Sequence, residues 1–180
     1  RVDVNKANNN GATPLYLACQ NGHTEVVNAM LSNDRVDVNK AMNNGATPLY
    51  IACQQGHTEV VKILVHHAKV DTTLSWTDRN WSPLMSAAYC GHDEIIKLLL
   101  SSHRRINIDQ KSTINTTSTK TGWTAIDIAK ASQEDKMKKD EKHRNKVVNL
   151  LNQYKDSITN INNNHNNHNN HNNHNNHNNH

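Results

Sequence analysis

The stretch NNGATPLYLACQNGHTEVV occupies residues 9–27, and NNGATPLYIACQQGHTEVV occupies residues 43–61, in the same phase 34 residues later. These two near-copies decide how the rest is read. Self-similarity at a period of about 20–50 residues marks a stacked array of small units rather than one closed core. A third copy, NWSPLMSAAYCGHDEIIKLLL, starts at Asn80, with Pro83 35 residues beyond Pro48. A fourth, TGWTAIDIAK, starts at Thr121, with Ala125 42 residues beyond Pro83. That longer step predicts a short insert within residues 110–120, which are rich in Ser and Thr.

Each copy reads as two short helices. Thr13, Thr47 and Ser82 are good N-cap residues, each followed by Pro at the first helical position, where the missing N–H costs nothing. Leu15, Leu17 and Ala18 give the first helix an apolar stripe at helical spacing. Gly22, Gly56 and Gly91 then suit a left-handed helix end. His23, His57 and His92 open the second helix and are expected to support that turn. Its buried face is Val26, Val27 and Leu31 in the first copy, and Ile95, Ile96, Leu98, Leu99 and Leu100 in the third. A stretch such as Val36-Asp37-Val38-Asn39 leads on to the turn signal Asn43-Asn44-Gly45.

The pattern T-P-L-x-x-A, then G-H-x-E-V-V, then D-V-N, resembles the ankyrin repeat. It is strong in copies one to three and weaker in the fourth, over roughly residues 1–154. The resemblance implies an all-α solenoid of helix-turn-helix units with β-hairpin loops projecting at one edge. It also implies that a concave surface of hairpins and first helices takes a partner. The family's His after T-P-L is Tyr16, Tyr50, Met85 and Asp127 here, so its usual bonds between repeats are not expected. On this reading residues 1–7 end a preceding repeat, and the chain is a piece of a longer array. Repeats follow at 8–41, 42–76, 77–118 (with the Ser/Thr-rich insert) and 119–154. The last is degenerate: it has Ala125 for Pro, no Gly-His pair, and a charged insert over residues 132–145. It is read as a C-terminal cap. Residues 155–180 are read as a disordered Asn/His-rich tail.

Composition agrees with an array. The chain has 180 residues, no Phe and few aromatics, a poor supply for one closed core. Beyond Ile161 there is only Asn and His, with His165, His168, His171, His174, His177 and His180 at a period of three. Such a segment buries nothing apolar. The net charge of +4 comes from mixed charges. Residues 136–146 interleave six cations with Asp140 and Glu141, the pattern of a solvated face. Nucleic-acid binding needs a more one-sided stripe and is not expected. No 18-residue apolar run predicts a transmembrane helix, and no signal peptide is recognised. Three cysteines, Cys19, Cys53 and Cys90, have no paired spacing. They argue against a disulfide framework, and with no signal peptide the setting expected is reducing and intracellular, cytoplasmic ahead of nuclear.

No catalytic, cofactor or metal site is predicted. His23, His57 and His92 recur in every complete copy, whereas catalysis needs a residue once. The tail histidines could hold a transition metal weakly and nonspecifically, though a low-complexity expansion without a role is the simpler reading. Cys19 and Cys53 read as small buried hydrophobes, and Cys90 as more exposed. The tryptophans carry more. Trp76, Trp81 and Trp123 fall in hairpin arms, and Trp81 and Trp123 share the phase of Ala12 and Ala46. The resemblance places that position, and the one held by Tyr89, toward the partner. Trp, Tyr and Arg dominate interface hot spots. The candidate partner-binding residues are therefore Trp76, Arg79, Trp81, Tyr89 and Trp123. The competing reading is that the rings fold down over their own repeats. The function expected is a protein–protein interaction scaffold that recognises its partner chiefly through repeats three and four. The alternative is a targeting or regulatory segment of a larger enzyme or channel whose catalytic part lies outside these residues.

Overall fold

The computed structural model describes residues 2–77, 79–102, 106–113, 122–131 and 141–174, with side chains of the last helix described over 145–161. Among these residues the chain forms eight α-helices. They are α1 (Pro14–Gln20), α2 (Thr24–Leu31), α3 (Pro48–Gln55), α4 (Thr58–His66), α5 (Pro83–Cys90), α6 (Asp93–Ser101), α7 (Ala125–Ala131) and α8 (Glu141–His174). They stack in two layers. The first helices α1, α3, α5 and α7 pack in sequence on one side, and α2, α4, α6 and α8 on the other. Each first helix also packs on the second helix of its own pair. The result is an all-α repeat solenoid.

The helices start as the sequence predicts. Thr13, Thr47 and Ser82 accept hydrogen bonds from the backbone N–H of Tyr16, Tyr50 and Met85, at 3.1, 3.1 and 3.2 Å. Each satisfies one of the orphan donors of a helix start. Gly22, Gly56 and Gly91 hold φ of 71°, 81° and 74°, as a left-handed exit requires. The fourth pair lacks Pro and solves the problem differently. The Asp127 carboxylate accepts from the Thr124 N–H at 3.0 Å and from its hydroxyl at 2.8 Å, while the Asp127 N–H donates back to that hydroxyl at 3.4 Å. This is a reciprocal cap, and it accounts for Asp127 in the position that Tyr16 and Tyr50 hold in copies one and two.

The core runs along the stack without a break. Leu15, Leu49, Leu64, Met85, Ile95, Ile96, Leu99, Ile128 and Leu151 are among the largest fully buried side chains. Truncating one of these to Ala costs about 2–5 kcal/mol. Two expected core residues are instead exposed: Leu17 and Val26. Their equivalents Ile51, Val60 and Ile95 are buried because a preceding helix pair covers them, which α1 and α2 do not have in this structure.

The projecting loops are tight turns, and among the described residues only the Trp76–Trp81 pair forms a β-bridge. The arms close at residues 8 and 12, 42 and 46, 76 and 81, and 112 and 123. The last is the longest, so the insert sits in the arm entering α7; residues 114–121 themselves, like the charged residues 132–140, lie outside those described. The backbone of α8 runs to His174. Val147 and Leu151 are buried and Tyr154 packs on the core. They nucleate α8, and extending a formed helix costs far less than starting one.

Candidate interaction surface

Contacts between repeats position the surface. His57 Nε2 lies 3.0 Å from the Gln20 carbonyl, and His92 Nε2 lies 3.3 Å from the Gln54 carbonyl. Neither ring caps its own helix. The histidines therefore join neighbouring repeats, which differs from the local turn-supporting role expected for them. The preceding glycine makes the room. A Cβ on Gly22 would sit 2.7 Å from the His57 ring, and one on Gly56 equally close to the His92 ring. An asparagine ladder does the same for the loops. The Asn5 amide donates to the Arg35 carbonyl at 2.7 Å and accepts from the Asp37 N–H at 2.8 Å. Asn39 repeats both bonds with Lys69 and Asp71, at 2.7 and 2.9 Å. Thr73, next in phase, turns its hydroxyl to Asp71 and cannot continue the ladder.

Beyond that break the hairpin edge changes character. Trp76 packs edge-on to buried Tyr50, with ring centroids 5.7 Å apart. The Arg79 guanidinium sits 4.2 Å over the Trp76 ring, a cation–π arrangement. Trp81 packs edge-on to Tyr89, with centroids 6.0 Å apart. Gln110 ties the arm down, its amide donating to the Asn80 carbonyl at 3.3 Å and side-chain oxygen at 3.0 Å. The Thr113 N–H donates to the Arg79 carbonyl and the Ser112 N–H to the Trp123 carbonyl, each at 2.9 Å. Through residues 112 and 113 the structure joins the Arg79 arm to the Trp123 arm.

The five expected residues thus sit in one region, with unequal access. Trp81 is only 7 % exposed; it has folded onto its own repeat and cannot anchor a partner. Trp76 and Trp123 are half-buried against the core. Arg79 is exposed, and Tyr89 is 36 % exposed. Leu74 went unrecognised in the sequence and is 37 % exposed. It replaces, in the same phase, Lys6 and Lys40, and that switch from cation to aliphatic is the signal that could have revealed it.

The titratable groups here serve packing. Burial pushes the Tyr50 phenol up to about 12, against the opposing effect of its hydrogen bond with Ser86. Burial likewise raises the Cys19 thiol to about 12, and the Cys53 thiol further. A thiol is reactive as the thiolate, so both behave as small hydrophobes. Cys19, Cys53 and Cys90 form no disulfide. Among the described residues no three His, Cys, Asp or Glu side chains converge as metal ligands, and no helix is long and apolar enough to cross a membrane.

The family model for ankyrin repeats in three copies matches residues 1–75, and that for a single ankyrin repeat matches residues 79–113. No curated protein matches the chain. Ankyrin repeats are in general protein–protein interaction modules and typically non-catalytic. The helix pairs, their caps and these matches agree, and the chain belongs to the ankyrin repeat family.

Proposed function

We propose that this chain binds a partner protein on the face made by its hairpin arms and first helices, chiefly across the third and fourth helix pairs. The carrying observation is the braced pair of exposed groups there. Tyr89 stands against the buried Trp81 ring at 6.0 Å, and Arg79 lies over Trp76 at 4.2 Å. A side chain already held in place loses little rotamer freedom on binding, and Tyr and Arg are the types that carry interface energy. Trp76 and Trp81 act as the support beneath them, with Leu74 and the exposed part of Trp123 extending the patch. The equivalent arms of the first two pairs carry Ala12 and Ala46, both buried.

The same reading takes α7 and α8 as a C-terminal cap. Val147 and Leu151 face the stack, while Asn149, Asn152, Gln153 and Asp156 are exposed, giving the polar outer face that a terminal repeat needs. The test compares proteins captured from the native cell by the parent chain and by its Arg79→Ala, Tyr89→Ala variant, with thermal melting run on both. The expected result is a variant that still melts cooperatively above the capture temperature and has lost the specific captured species. Equal capture by both chains would remove this surface from the account.

A further inference from the structure

The hairpin arms and first helices of the first three pairs are almost without charge. Helices α1, α3 and α5 contain no Asp, Glu, Lys or Arg, and neither do the arms at residues 8–12 and 42–46. The second-helix layer is the opposite: Glu25, Glu59, Asp93 and Glu94 stand in the first turns of α2, α4 and α6. On the neutral face the third arm places the exposed Arg79; its sequence neighbour Asp78 lies outside the described residues. Resting on the interaction surface proposed above, we infer that the partner delivers a carboxylate to Arg79, from an Asp or Glu carried beside an apolar residue on an exposed segment. Such a segment meets like charge on the second-helix layer and opposite charge here.

Two donors at one place point to that acceptor. The Arg79 guanidinium sits over the Trp76 ring. This contact holds the cation but takes up none of its N–H groups, and among the described residues no carboxylate pairs with it. The indole N–H of the same Trp76 is buried and meets no acceptor among the described residues. Arg and Trp side chains only donate, and an orphaned buried donor is costly. A carboxylate offers two oxygens in the geometry that the guanidinium fork matches. As the guanidinium is drawn onto it, the ring opens to the second oxygen. The apolar neighbour answers Leu74 and Tyr89, 37 % and 36 % exposed. The patch is continuous: the Tyr50 phenol, whose ring packs on Trp76, is shifted by both Arg79 and Cys90, the residue after Tyr89. A phosphate is the poorer fit, because its double charge calls for an Arg cluster and the arm at residues 76–81 has a single cation.

The test pans a phage-displayed random-peptide library on the full chain and on its Arg79→Glu variant. Position 79 is exposed, and circular dichroism checks that both chains fold alike. The parent should enrich peptides with Asp or Glu beside an apolar residue, and Arg79→Glu should enrich Lys or Arg at that place. Changing the acid to its amide should weaken binding to the parent at least about ten-fold, as loss of one charge-assisted bond implies. The Trp76 indole proton resonance should move with the acidic peptide and not with the amide. Peptides that lose affinity for a Tyr89→Ala chain, yet show no preference for an acid, would overturn the inference and leave the surface standing. So would tighter binding when phosphoserine replaces the acid. Peptides indifferent to both Tyr89→Ala and Arg79→Glu, or no enrichment by the parent, would overturn the surface and the inference together.

Discussion

Gly11, Gly45, Asn80 and Gly122 share one phase of the repeat, and all four have positive φ, from 48° at Asn80 to 87° at Gly45 and Gly122. The turn into each first helix demands the left-handed region, which Asn tolerates better than other residues with a side chain. Stacking adds a second demand. A Cβ on Gly45 would stand 2.5 Å from the Thr77 hydroxyl, so glycine there serves close approach as well as φ. The Asn80 amide donates to the Lys111 carbonyl at 2.7 Å. Asn80→Ala should lose about 1–2 kcal/mol through left-handed strain and that missing bond, with Asn80→Gly losing less, as read from urea unfolding. The reverse order would show that φ is not the constraint.

The thiols test burial at the same scale. Cys90 should react with a thiol reagent in the native chain, while Cys19 and Cys53 should react only on unfolding. Their ionisation also sets an alkaline limit. The folded Cys19 value lies above the ordinary 9.0, near 12, so the unfolded chain sheds this proton first. Stability from this group is therefore complete below pH 9 and is lost as pH rises toward 12, by up to about 1.4 kcal/mol per pH unit for one such thiol. A Cys19→Ala chain should show a shallower alkaline decline. The caps, the left-handed glycines and the buried cysteines were legible because each follows from a local rule. The fate of Trp81 was not, because whether a ring folds down or stands out depends on Tyr89 and the arm beside it.

At the level of the element, the helix pairs are too short to stand alone, since isolated helices under about 12 residues are marginal. Their order comes from neighbours, and the histidine bridges are where that coupling can be measured. His57→Ala should cost about 1–2 kcal/mol, because it leaves the Gln20 carbonyl without its partner and opens a gap over Gly22. His23→Ala should cost almost nothing, because its ring is exposed. Equal effects on urea unfolding would mean that the bridge to the preceding repeat contributes nothing. The sequence put these histidines in the right phase yet suggested a local role; their reach back to the previous repeat needs the lateral offset of the stack, which no single-copy pattern contains.

The last helix is the element least legible beforehand. Val147, Val148 and Leu151 give it an apolar face, and the Asn/His composition that follows carries no apolar pattern from which its length could be read. The packed part ends earlier, with Tyr154 against the core and Lys155 paired to Asp109 at 2.6 Å. That exposed pair contributes little. Removing residues 162–180 should leave the melting temperature unchanged, whereas Leu151→Ala should lower stability by about 2–5 kcal/mol. A large loss on removing the tail would show that it packs on the stack.

For the molecule as a whole, repetition makes fold and function unequal in legibility. A 34-residue step with matched caps specifies helix pairs stacked on each other, because each apolar face has only its neighbour to bury against. Recognition depends instead on departures from the repeat. Leu74 stands where lysines stood, Thr73 ends the asparagine ladder, and Tyr89 replaces glutamine. These mark the third pair as different without stating what it meets, since one fold hosts many partners. The proposed partner contact is the Arg79–Tyr89 surface. Its most direct test is a photo-crosslinking side chain placed at position 89 in one chain and at Glu59 in another. Glu59 is an exposed position on the second-helix layer. Both chains are irradiated in the native cell. A discrete partner adduct is expected from position 89 and none from position 59; adducts of equal yield from both, or from position 59 alone, would overturn the proposed contact.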